Sequence, residues 1–217
     1  MHIRPKPWAR PELEACGFFQ ANPPEHRGQW QHLFKRKQPL HIELGCGKGT
    51  FIAKLGSQNP QINYLAIDLI DAVLGVSKRS IEAAYENKKQ PVDNIRLMSW
   101  DVERIDAILS PKDDVERIYI NFCNPWPKRR HHKKRLTHSK QLKKYTEILS
   151  NNGEIYFKTD NDALFQDSIK YFEASDFTIK TLIWDLHAAD YLANIETEHE
   201  KMYAEQGIKI KFLIAGH

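Results

Sequence analysis

From residue 39 onward, short apolar runs alternate with stretches whose apolar positions recur at helical spacing. Residues 40–44 (Leu-His-Ile-Glu-Leu) form the first apolar run, and glycines follow it directly. The pattern then predicts a helix over 50–56, a strand over 62–67 and a helix over 72–85, the last with Val73, Val76, Ile81 and Ala84 among its apolar positions. A strand over 95–98, a short helix over 102–109 and a strand over 117–122 come next. A helix over 139–149 ends at Asn151-Asn152-Gly153, and a strand over 154–158 and a helix over 163–172 follow. Two last strands, 177–184 and 208–214, flank an irregular polar segment. Strands alternating with helices imply right-handed crossovers and a parallel sheet covered on both faces. The expectation is an α/β fold: a seven-stranded, mostly parallel sheet with helices on both faces and an antiparallel hairpin at one edge. Residues 1–38 are rich in proline and aromatic side chains (Trp8, Phe18, Phe19, Trp30) and show no period. They read as an irregular N-terminal arm ahead of one domain spanning 39–217.

Composition sharpens this picture mainly through where the charge lies. The chain has 217 residues, enough for a single well-buried core. Nine of its 32 Lys and Arg fall between residues 128 and 144, a stretch with no Asp or Glu. The formal charge of +4 therefore comes from one short segment on an otherwise acidic body. Such a block is either a solvated face or the footprint of a polyanion. It begins directly after the strand over 117–122, at the rim where an α/β sheet binds its ligands, and that position favours a nucleic-acid surface. Cys16, Cys46 and Cys123 lack metal-ligand spacing, and the opening residues lack the apolar core of a secretory signal. No metal, no membrane contact and a reducing cytoplasmic setting are expected.

Ligands of open α/β sheets sit beyond the carboxyl ends of the strands. This rule selects residues 43–49, Asp68, Asp101, 124–135 and 159–162. In Glu43-Leu44-Gly45-Cys46-Gly47-Lys48-Gly49 the glycines permit positive φ and a close backbone approach to a ligand. The spacing is GxGxG rather than the GxGxxG of dinucleotide folds. Asp68, 21 residues beyond Gly47, ends the next strand and can accept both hydroxyls of a ribose. The combination points to a nucleoside cofactor. Asp101 and Asp160 fit either ligand contacts or helix N-caps, and Thr197-Glu198-His199-Glu200 fits a capping box. Trp126 is a stacking platform or a core residue. His131 and His132 lie inside the basic stretch and belong with RNA or solvent.

The glycine turn, Asn124-Pro125-Trp126-Pro127-Lys128, the basic run, Lys158-Thr159-Asp160-Asn161 and Thr197-Glu198-His199-Glu200 occur in an order that resembles the bacterial tRNA (guanine-N7)-methyltransferases, the TrmB family. The resemblance covers roughly residues 35–215. It implies a class I Rossmann-like methyltransferase that uses S-adenosyl-L-methionine and acts on a variable-loop guanosine of tRNA, as a monomer or homodimer. It also implies cofactor contacts from Glu43, Asp68, Asp101, Asn124 and the backbone of Gly45, Gly47 and Gly49. Substrate contacts would come from Lys128, Asp160, Thr197 and Glu200, and RNA contacts from Arg129, Arg130, Lys133, Lys134 and Arg135. The family usually carries Asp where this chain has Asn124, the expected catalytic position. Asn-Pro-Trp-Pro is also similar to the Asn-Pro-Pro-aromatic motif of amino-group methyltransferases, which act on N6 of adenine or on glutamine. A relative that binds RNA with impaired turnover is the third reading.

Overall fold

The computed structural model describes residues 4–216. Residues 1–3 of the expected arm and residue 217 of the expected domain lie outside the described residues. Helix α1 (Ala9–Glu14) and strand β1 (Phe19–Gln20) precede β2 (Leu40–Leu44), α2 (Thr50–Gln58), β3 (Asn63–Asp68), α3 (Asp71–Asn87) and β4 (Ile95–Ser99). Then come β5 (Val115–Asn121), α4 (Ser139–Ile148), β6 (Leu149–Thr159), α5 (Asp162–Glu173), β7 (Thr178–Ile183), α6 (Glu198–Glu205) and β8 (Lys211–Gly216). The strands form one sheet in the order β1-β4-β3-β2-β5-β6-β8-β7. Strands β1 to β6 run parallel, while β8 lies antiparallel between β6 and β7. Strand order reverses between β2 and β5, so the two strand ends that flank this crevice are those carrying Glu43 and Asn121.

Side chains on β3 show why both faces need cover. Leu65 and Ile67 enter one core with Leu142 and Tyr145 of α4 and Phe165 and Phe172 of α5. Tyr64 and Ala66 enter the other with Leu13 of α1, Phe51 and Ile52 of α2, and Leu74 and Ile81 of α3. Period-two alternation thus feeds two cores at once, and a strand buried on both sides reads as a continuous apolar run.

Three features depart from the sequence reading. The sheet has eight strands among the described residues instead of seven, because Phe19 and Gln20 pair with Leu97 and Met98. Two residues are too few to display alternation. The segment read as an irregular arm thus contains a helix and a sheet strand. Strand β6 begins at Leu149 rather than 154, directly after α4: Asn151-Asn152-Gly153, expected to end that helix, lies within β6 at a bulge, where the register jumps from Val115–Leu149 to Arg117–Glu154. The short helix expected over 102–109 is a 3-10 segment over Val102–Ala107. No helix among the described residues is long and apolar enough to cross a membrane.

Residues 27–34 are tied to the domain by polar bonds as well as by packing. Trp30 is fully buried, and its indole N–H donates to the Ile108 carbonyl at 2.7 Å. The buried Asp113 carboxylate accepts from the backbone N–H groups of Gly28 (2.9 Å), Trp30 (3.2 Å) and Ser110 (2.9 Å). Trp30→Ala should therefore cost about 3–5 kcal/mol, as for other buried aromatic truncations. Urea unfolding checks this; a loss below ~1 kcal/mol would mean that this segment is dispensable to the core.

Candidate functional site

The turn after β2 is held by its neighbour strand. Gly45 and Cys46 donate their N–H groups to the Ile67 carbonyl at 2.8 and 2.9 Å. Asp68 then accepts from Gly47 N–H (3.0 Å) with one oxygen and from Ile70 N–H (3.2 Å) with the other. The residue singled out as a ribose acceptor thus also fixes the glycine turn and starts α3. The glycines serve two purposes. Gly47 takes φ 55°, and a Cβ added there would meet no atom within 4 Å, which leaves open space beside the backbone for a ligand. Gly49 takes φ 75°, and a Cβ there would collide with Ser77, so this glycine lets the turn pack against α3.

Glu43 is buried at the mouth of the crevice. Its Oε1 accepts from Asn121 Nδ2 at 3.2 Å, while Oε2 is buried with no hydrogen-bond partner. Burial, opposed by the Asn121 bond, reinforced by nearby Asp68 and opposed again by Lys158, pushes its pKa up to about 8. An orphaned acceptor in a desolvated site is a place where a cationic or donor group of a ligand gains most. Asn121 and Lys158 were not singled out for the site from the sequence. Each has a signal in retrospect: a polar amide within the apolar run of β5, and a lysine within the apolar run of β6.

The strand-end loop after β5 departs from ordinary backbone. Phe122 and Trp126 both have positive φ (51° and 42°), an arrangement that non-glycine residues adopt only where surroundings enforce it. Asn124 is exposed, and its Oδ1 accepts from Trp126 N–H at 3.0 Å, which shapes the turn. The Trp126 ring is engaged by the basic segment, edge-on to His131 at 5.7 Å and under Lys134 at 5.2 Å. That segment is a 3-10 stretch over Arg129–Lys134 with no buried residue. Lys128, Arg129, Arg130, Lys133 and Lys134 are all exposed. Its field reaches His138, whose pKa is lowered first by burial and then by Lys133, Arg135, His132 and Lys140.

Arg135 corrects the sequence reading. Grouped there with the RNA-contacting cations, it is 2% exposed. Its guanidinium donates to the Pro125 carbonyl (2.8 Å) and Asp167 (2.7 Å) and contacts His132 Nε2 (3.0 Å). It anchors the base of the loop and presents no charge to a partner.

The remaining positions divide similarly. Asp101 caps the segment after β4 by accepting from Glu103 N–H at 2.9 Å. Asp160 is half-buried beyond β6, and its carbonyl accepts from Lys211 Nζ at 3.0 Å. Thr197 and Glu200 form the capping box of α6, with Thr197 Oγ1 accepting from Glu200 N–H at 3.0 Å and Glu200 accepting from Thr197 N–H at 3.3 Å. Helix α6 touches three site elements. Glu198 pairs with Lys48 of the glycine turn (2.8 Å), His199 stacks on Phe122 (5.7 Å), and Glu200 pairs with Lys158 (3.0 Å). No cluster among the described residues could hold a metal ion.

Comparison with known proteins gives concordant results. A family model described as "Putative methyltransferase" matches residues 37–213. The chain is 57% identical to the tRNA (guanine-N(7)-)-methyltransferase of Clostridium beijerinckii, over 99% of this chain and 98% of that one. It is 58% identical to the same-named protein of Clostridium perfringens strain 13, over 99% of both chains. It is 45% identical to that of Clostridium tetani, again over 99% of both. Among solved structures, the 16S rRNA methyltransferase KamB superposes with a TM-score of 0.62 at 12% identity, covering 87% of this chain and 92% of the other. An antibiotic-related methyltransferase gives 0.60 at 19% identity, covering 86% and 90%. These two show the shared fold.

The electrostatics of Glu43 can be tested without any ligand. A carboxyl group that titrates near ~4.3 in the unfolded chain and near 8 in the folded one binds more protons when folded between those limits. Its contribution to stability is full at low pH and is lost as pH rises through this window, by at most ~1.4 kcal/mol per pH unit. Glu43→Gln should lack that decline. Urea titrations between pH 5 and 9 compare the two proteins; parallel stability curves would show that Glu43 is ionised throughout.

Proposed function

Because the chain belongs to the tRNA (guanine-N(7)-)-methyltransferase family, we propose that it transfers the methyl group of S-adenosylmethionine to N7 of a guanosine in the tRNA variable loop. The observation that carries this reading is one of placement. A segment of exposed cations follows the Asn124 loop at the end of β5, next to the crevice that holds an orphaned carboxyl oxygen.

The residues fit the cofactor. Space beside Gly45 and Gly47 admits a ligand against the turn, and Glu43 Oε2 supplies an acceptor for its cationic amino-acid end. Asp68 would take the ribose and Asp101 the adenine. When bound, S-adenosylmethionine supplies a methyl group activated by a sulfonium centre. The chain itself has to bind and align. N7 of guanine has an in-plane lone pair and no proton to lose, so no side chain need act as a base. Holding two reactants in line can supply ~7–11 kcal/mol of the barrier reduction. Asn124 is suited to such alignment. Its Oδ1 fixes the Trp126 turn at the rim of the site. Lys128 and Asp160 would meet the substrate at the same rim, while Arg129, Arg130, Lys133 and Lys134 hold the tRNA backbone. The enzyme would act in the cytoplasm, where its tRNA is.

Nucleoside analysis of tRNA lacking the modification, after incubation with enzyme and cofactor, tests the reading; 7-methylguanosine is the expected product. Asn124→Asp keeps an acceptor for Trp126 N–H and should retain turnover within about tenfold, whereas Asn124→Ala should lose on the order of 100-fold through misalignment. N6-methyladenosine, or no methylated nucleoside with either Asn or Asp, would overturn the assignment.

Neutralising Arg129, Arg130, Lys133 and Lys134 together should abolish tRNA binding while cofactor affinity stays intact. Binding by the unaltered protein should fall steeply with salt as counterions are no longer released favourably. Filter binding from 50 to ~300 mM salt measures both; a salt-insensitive affinity would make the segment a solvated face.

A further inference from the structure

Lys158 is a buried ammonium whose field reaches Glu43 but whose own hydrogen bonds all go elsewhere. It lies near the end of β6, 6% exposed, and all three of its donors are taken by one stretch of chain. Nζ donates to Glu200 Oε2 at 3.0 Å, to the Ile195 carbonyl at 3.0 Å and to the Asn194 side-chain oxygen. Glu200 is fully buried in turn, and its other oxygen accepts from Asn194 Nδ2 at 2.5 Å. The closed set of bonds leaves the Glu200 carboxylate facing protein on every side. The helix that begins there stacks His199 on Phe122, two residues before Asn124.

We propose that Lys158 is a positioning residue, whose ammonium docks residues 194–200 and the start of α6 against the strand ends, with Glu200 serving as its acceptor and not as a tRNA contact. The inference rests on the tRNA methyltransferase reading and deepens it. Three acceptors around one compact nitrogen suit the three N–H groups of lysine; the planar fork of arginine cannot reproduce them. Burial lowers the Lys158 pKa, and the Glu200 carboxylate opposes that shift, so the pair keeps the ammonium charged where water is excluded. Through Phe122, the docked helix bears on the loop that carries Asn124. Loss of the dock should therefore appear in alignment, in kcat, while the exposed cations that bind tRNA are unaffected.

Four proteins decide it: the unaltered enzyme, Lys158→Met, Glu200→Gln and the double variant Lys158→Met/Glu200→Leu. Amide hydrogen exchange over residues 195–205 reads docking directly, and steady-state methylation of tRNA separates kcat from KM. We expect Lys158→Met to lose exchange protection in this stretch and on the order of 100-fold in kcat. KM for tRNA should stay within about threefold. The double variant removes the orphaned carboxylate; its thermal midpoint should recover while kcat stays low. Three results would overturn the proposal: exchange protection and kcat unchanged in Lys158→Met, kcat recovering with stability in the double variant, or Glu200→Gln raising KM for tRNA where Lys158→Met does not. If the unaltered protein makes no 7-methylguanosine, the functional reading falls, and hydrogen exchange alone still decides whether Lys158 docks the helix.

Discussion

Glu43 carries a carboxyl group into the dry end of the central strand and leaves one of its oxygens without a partner. A buried polar atom in this state costs free energy that folding alone does not return. What surrounds it is arranged accordingly. Asn121 satisfies one oxygen from across the crevice, Lys158 supplies a positive field, and Asp68 works against both while pinning the glycine turn. The switch point of the sheet decides which strand ends meet here, and the open space at Gly47 decides how closely a ligand can approach. Such an arrangement suits a cationic ligand, where any further apolar packing would close it.

The basic segment beside that crevice differs from it in environment. Exposed cations from Lys128 to Lys134 offer charge without burial, so they attract a polyanion at little desolvation cost. Arg135 has the same chemistry in the opposite environment: it is buried and bonded to Pro125 and Asp167, and it makes the loop a fixed platform. Between the two lies Asn124, in a turn whose neighbours Phe122 and Trp126 are held at positive φ. Backbone held this way is stiff, which suits a transfer to guanine N7 that depends on alignment more than on proton removal.

Much of this was legible from local pattern. The alternation of strands and helices, the edge hairpin formed by β7 and β8, and the capping box at Thr197 and Glu200 all follow from short-range rules, and all are observed. What escaped were features that depend on distant partners. Phe19 and Gln20 form a strand only because β4 offers an edge to them. The Asn151-Asn152-Gly153 turn signal was real but describes a bulge, since β6 continues through it. Arg135 is indistinguishable in sequence from Arg130; its bonds to Pro125 and to Asp167, 32 residues away, separate their roles. Glu200 is likewise assigned by Lys158, 42 residues earlier, and nothing within its own motif says that it is buried.

The central claim is that the site is built around a carboxyl group waiting for a cation. Calorimetric titration of S-adenosylmethionine at pH 7, in two buffers of different ionisation enthalpy, measures this most directly. A group that titrates near 8 in the free protein and is ionised beside the bound cofactor should release roughly one proton per binding event, and Glu43→Gln should release none. Binding heats that are the same in both buffers for the unaltered protein would contradict the account.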